Sequence, residues 1–140
     1  MGHTNYWTRD SKLHATKFAD AAKDCRKILK HLGVPLAGRN GTGSPIFHAD
    51  EIAFNGKSPH DYETFSVLRV IETGEPKEFQ FCKTALRPYD ICVQAALIVL
   101  RHHLNEAISV SSDGNDAAWN TARAACQKWL GYGTEFRLEG

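Results

Sequence analysis

The 140-residue sequence predicts a single α+β domain, with helices packed on a small, mainly antiparallel sheet in the order α-β-β-β-α-β-α. Three observations carry that expectation. Long segments with helical period end at clear stop signals. The strand-like segments between them are bounded by turn residues. No linker or internal repeat divides the chain. The composition, 42% hydrophobic and 24% charged, is that of an ordinary globular domain. A chain of this size buries roughly 68–70% of the surface it exposes when unfolded, enough for a core without disulfides or a structural metal.

The first helix is expected over residues 11–32, where Phe18, Ala21, Ala22, Cys25, Ile28, Leu29 and Leu32 follow the 3.6-residue period. Ser11 or Asp10 would cap its start, and Gly33 and Pro35 would stop it. Lys17, Asp20, Lys23, Asp24, Arg26 and Lys27 form its opposite, solvated face. Residues 36–45 hold three glycines and a proline and read as a loop. A short strand should end near Phe54, before the turn pair Asn55-Gly56. Two further strands follow at 62–72 and 78–84. The Thr73-Gly74-Glu75-Pro76-Lys77 segment between them has hairpin turn chemistry, so these two strands are expected to pair.

Pro88 suits the first turn of a helix, and Asp90 places negative charge at that helix's N-terminus. The helix should run to about His103. Its apolar residues from Ile91 to Leu100 cover nearly the whole circumference, which requires burial on several sides. A short strand over 107–111 and a turn at Asp113-Gly114-Asn115-Asp116 lead into a last helix over 116–130, stopped by Gly131.

Seventeen Lys and Arg against sixteen Asp and Glu leave a formal charge of +1, so no global field attracts a phosphate backbone. Nucleic acid is therefore not an expected partner; only a local patch could hold it. The longest apolar run is too short to span a membrane. The N-terminus lacks a basic region followed by an apolar one, so a cytoplasmic protein is expected. Cys25, Cys82, Cys92 and Cys126 form no C-x-x-C pair and read as reduced core thiols.

The informative polar residues lie at element ends. Lys83, Thr84, Arg87, Tyr89 and Asp90 fall where a strand runs into the buried helix, and Ser111, Ser112 and Asp113 close the last strand. If both groups share one sheet edge, free N–H groups, two cations and several hydroxyls would suit a phosphate or carboxylate. The alternative is structural: Asp90 caps the helix and Ser112 and Asp113 make a turn. Glu63, Asp90 and Asp113 are the carboxylates that an acid–base mechanism would use. Cys82 could act as a nucleophile only with His48, His60 or His103 as base, and its strand position favours an inert thiol. His48-Ala-Asp50, His60-Asp61 and His102-His103 fit no metal-ligand spacing, and Gly41-x-Gly43 fits no phosphate-binding fingerprint, so neither metal nor cofactor is expected. Tyr6 and Trp7 could stack on a base, dock on a partner or cover the core.

With the blocks Phe81-Cys82-Lys83-Thr84, Pro88-Tyr89-Asp90, Val110-Ser111-Ser112-Asp113-Gly114 and Leu130-Gly131-Tyr132-Gly133, the sequence resembles a small family of uncharacterised bacterial and phage-borne proteins. The resemblance spans most of residues 5–136. It implies a single domain of bacterial or phage origin and brings no activity with it. Three functions are thus set against one another. The first is a binding protein for a small anionic, nucleotide-like or phosphorylated ligand. The second is a hydrolase or transferase using Glu63, Asp90 or Asp113. The third is a protein-interaction module, such as a phage-type inhibitor of a host protein, that contacts its partner through the charged face of helix 11–32 or through Trp7.

Overall fold

A computed structural model describes residues 2–139. The strands are β1 (Thr4–Asp10), β2 (Leu36–Ala37), β3 (Ile46–Phe47), β4 (Glu51–Gly56), β5 (Phe65–Leu68), β6 (Lys77–Lys83) and β7 (Ile108–Ser112). The helices are α1 (Ala15–Leu32), α2 (Asp90–Leu104) and α3 (Asn120–Leu130), the last entered through a 3-10 turn at Asp116–Trp119. All strand pairings are antiparallel, and the class is α+β as expected.

The main difference from expectation is β1, which is the centre of the three-stranded sheet β6-β1-β7. Its inward positions are Asn5, Trp7 and Arg9, all buried, and its outward positions are Thr4, Tyr6, Thr8 and Asp10. Two of the three core-facing residues are polar, so the strand lacks the apolar alternation by which strands are recognised. Trp7, only 2% exposed, packs on Phe65 at 5.2 Å and donates from its indole nitrogen to Gln80. Trp7 therefore belongs to the core and is not a docking surface. Arg9 gives its guanidinium to the carbonyls of Leu68, Arg69, Ser11 and Asp10, and burial lowers its pKa to about 10.

These bonds explain a second correction. The strands flanking residues 73–77 do not pair with each other: β5 pairs with β4 and β6 pairs with β1. The chain after Leu68 is a crossover between two sheets, held by Arg9, by the Leu13 N–H on the Arg69 carbonyl and by the Ile71 N–H on the Ser11 carbonyl. Ser11 is consequently not the cap of α1: its hydroxyl donates to the Glu75 carbonyl. His14 caps instead, its Nδ1 accepting from the Lys17 N–H at 3.3 Å. At the other end Gly33 adopts φ 69°, where glycine carries no Cβ penalty, and donates to Leu29 as a C-terminal cap.

In the second sheet β4 pairs with β2, β3 and β5. Its residues Ile52, Ala53 and Phe54 are buried, and Phe54 packs on Phe65 at 5.1 Å. Helix α2 is buried from Cys92 through Leu100, packs against α1 and α3, and is the central helix. Among the described residues no helix is long and apolar enough to cross a membrane.

Candidate functional site

The expected polar residues do gather at one end of the β6-β1-β7 sheet, and β1 is what joins them. Thr4 pairs with Lys83 on one side, and on the other its N–H donates to Asp113 at 3.0 Å. Asn5 extends the link inward. Its amide nitrogen donates to Asp90 at 2.9 Å, and its amide oxygen accepts from Ser112 at 2.8 Å. Asp90 also accepts from the Thr84 hydroxyl at 2.6 Å and from Gln94 at 3.1 Å. Thus the carboxylate at the α2 N-terminus is buried, takes three side-chain donors and fills the position expected of an anion.

The remaining members of that group are occupied in similar fashion. Ser112 accepts from the Gly114 N–H at 3.1 Å, and Asp113 accepts from the Tyr6 hydroxyl at 2.8 Å, which raises the tyrosine pKa. Tyr89 is fully buried and its hydroxyl donates to the Glu63 carbonyl; burial pushes its pKa well up. Glu63 uses its carboxylate to accept the Lys83 N–H at 2.7 Å. His3 stands at the edge of this network, its Nε2 3.9 Å from Asp90 and without a hydrogen-bond partner. Apart from His3 Nε2, this end of the sheet is a polar network satisfied from within, and neither cleft described below reaches it.

Lys83 and Arg87 do not face that network. Their charged ends lie 5.7 Å and 5.6 Å from the centre of the Tyr62 ring. Among the described residues neither has a carboxylate within ion-pairing distance. The cationic part of the expected site is thus displaced onto the outer surface.

There it meets an inverted strand. In β6 the residues that face outward are Lys77, Phe79, Phe81 and Lys83, cross-strand from Asp10, Thr8, Tyr6 and Thr4. Phe79 is 60% exposed, Phe81 56% and nearby Tyr62 42%, whereas Cys82 is buried on the opposite face. Tyr6 stacks on Phe79 at 5.9 Å, and Phe79 lies 6.3 Å from Phe81. Hydroxyl residues Ser109 and Ser111 of β7 complete the face opposite Thr8 and Tyr6. Ser111 therefore belongs to this face and not to the Asp90 network. Tyr6, which the sequence offers as able to stack on a base, lies on this face, whereas Tyr62, Phe79 and Phe81 are not among the expected site residues. The signal available was the alternation of two phenylalanines with Glu78 and Gln80 between flanking lysines.

Other candidates are accounted for structurally. The Cys82 thiol contacts the Glu63 carbonyl, and burial, reinforced by Glu63, pushes its pKa up to about 12, which disfavours a nucleophilic thiolate. All four cysteines are free and buried. Asp24, expected in solvent, accepts from Tyr132 at 2.6 Å and lies 2.8 Å from His103, tying the C-terminal segment to α1 and α2. No group of three or more potential metal ligands is found among the described residues. One cleft of about 360 Å³ lies between the end of α2 and Glu135–Glu139; another, of about 610 Å³, lies beside the 72–77 crossover. Neither is lined by the exposed rings, and the second is bordered by Asp10 and Lys77 at the far end of the same face.

Comparison with protein-family models, with curated proteins and with solved structures found no match to this chain.

Proposed function

We propose that the chain binds an anionic ligand that carries a planar ring, a nucleotide-like molecule, on the outer face of the β6-β1-β7 sheet. The observation that carries this reading is the pair Phe79 and Phe81, more than half exposed in a regular strand and followed by Lys83 and Arg87, which among the described residues have no ion-pair partner. Exposed aromatic rings cost free energy in water, since burying one is worth roughly 1.5–3 kcal/mol. A base stacked on such a ring recovers that area, and a phosphate beside Lys83 and Arg87 recovers the charge. The buried carboxylate Asp90 and the exposed Asp113 are both engaged with protein donors and serve the fold, which weighs against the hydrolase or transferase alternative.

Thermal-shift titration with adenosine and thymidine monophosphates tests the reading. Ligand at a hundred times its dissociation constant adds about 2.7 kcal/mol to stability. The expected result is a rise in Tm that disappears in Phe81→Ala and in Arg87→Ala. No rise at millimolar nucleotide, or a rise that both variants retain, contradicts it.

A further inference from the structure

We infer that the occupant of this face is a single-stranded nucleic acid segment of several nucleotides, laid along β6. This inference rests on the nucleotide-binding reading above and deepens it. A mononucleotide has one base and one phosphate group. The face offers more than one of each partner: Tyr6, Phe79 and Phe81 present rings spaced 5.9 and 6.3 Å apart, and beyond them Tyr62 lies beneath Lys83 and Arg87. One base cannot cover this row. Successive unpaired bases can, because every base has a π-face and stacking on aromatic side chains is tolerant of sequence.

Charge distinguishes the occupant further. Of the carboxylates near the face, Asp10 is ion-paired with Lys77, whereas Asp113 accepts from Tyr6 and the Thr4 N–H, and Glu63 accepts from the Lys83 N–H. Among the described residues Lys83 and Arg87 have no carboxylate within ion-pairing distance and lie over the Tyr62 ring. The net charge of +1 supplies no long-range pull, so this local pair carries the complementarity to a phosphate backbone. The rings are surrounded on the sheet by Thr4, Thr8, Ser109 and Ser111. These hydroxyls can bond phosphate, sugar or base edges.

Edge pairing with a second copy of the chain fits poorly. Antiparallel pairing of β6 with itself about Gln80 sets Lys77 opposite Lys83, a like-charge contact at both ends of the strand. Duplex nucleic acid fits poorly too, since its bases are stacked on each other and closed to side-chain rings.

Fluorescence anisotropy with labelled oligothymidylates tests the inference directly. Affinity should rise at least tenfold from the mononucleotide to an oligomer of about six nucleotides, then level off. A duplex of matched length should bind at least tenfold more weakly than the single strand. Phe79→Ser and Phe81→Ser should each lower affinity tenfold or more with Tm unchanged, and Lys83→Gln should reduce the slope of affinity against salt by about 0.7. An oligouridylate series run in parallel distinguishes RNA from DNA as the source of the strand. If the mononucleotide binds as tightly as the oligomer, the inference fails and the nucleotide-binding reading stands. If duplex and single strand bind equally, the inference fails. If no nucleotide or oligomer binds, or if a polyglutamate peptide binds equally well, both fail. Lys83→Gln changes a half-buried side chain that makes no salt bridge among the described residues, and keeps the test decisive should a phenylalanine variant not fold.

Discussion

Asp90 and Phe81 sit on either side of the turn that joins β6 to α2, and each departs from the usual placement of its residue type. Asp90 is a buried carboxylate, with Asn5, Thr84 and Gln94 donating to it. Phe81 is an exposed ring in the middle of a regular strand. The first departure is compensated within the fold, because each donor and the carboxylate satisfy one another. The second has no compensation inside the molecule. Buried polar groups that are hydrogen-bonded are a structural device, whereas exposed apolar groups beside unpaired cations indicate a surface that something else covers. Clustering of polar residues at a helix N-terminus is thus a weaker sign of a site than uncompensated exposure.

The comparison can be broken from the inner side first. Leu97 is fully buried on α2, and Leu97→Asp leaves an unpaired charge in the core. It should cost more than about 5 kcal/mol and abolish cooperative folding; a cooperative melt near the wild-type Tm would contradict the assignment of α2 as the central helix.

Asp90→Ala is the sharper variant of the same region. It leaves the side chains of Asn5, Thr84 and Gln94 without their acceptor and should cost about 2–5 kcal/mol, measured by urea denaturation. Oligonucleotide affinity of the folded protein should be unchanged. A loss of affinity with stability intact would return the site to the helix N-terminus.

The buried thiols give a pH signature. Cys82, Cys92 and Cys126 are raised by burial to about 12 from an ordinary value of 9. A raised acid keeps its proton in the folded state, so its stabilisation is fully present below pH 9 and is lost as the pH rises toward 12. Each thiol should contribute a decline of roughly 1.4 kcal/mol per pH unit within that window. Denaturation midpoints that stay level from pH 8.5 to 10.5 would contradict their burial.

The smallest expected effect on stability belongs to the outer face. Phe81→Thr should change unfolding free energy by no more than about 0.5 kcal/mol while weakening ligand binding by about 1–3 kcal/mol. A large loss of stability would mean that the ring is part of the fold.

Much of this architecture is legible in the sequence where apolar period and stop residues agree. Helix α1 follows Phe18, Ala21, Ala22, Cys25, Ile28 and Leu29, all buried, and α2 shows its depth in an apolar circumference. What escaped detection is β1, because Asn5 and Arg9 hold core-facing positions through hydrogen bonds that join distant parts of the chain. The supposed hairpin failed for the same reason: Arg9 and Ser11 hold the 69–76 crossover, and no local rule reveals a donor sixty residues away. The polar residues at the sheet end were found, but their partners Asn5, His3 and Gln94 were not, so satisfied and unsatisfied groups could not be told apart. The exposed rings of β6 were hidden by the alternation itself, which specifies two faces and not which of them is buried.

Mapping of backbone amide shifts by two-dimensional NMR, on addition of a thymidylate oligomer of about six nucleotides, tests the central claim most directly. The account predicts saturable shifts concentrated at Tyr6, Thr8, Tyr62, Phe79, Phe81 and Arg87, with Asn5, Asp90, Gln94 and Ser112 little changed. Shifts centred on Asp90 and Ser112, with the β6 phenylalanines unmoved, would contradict it.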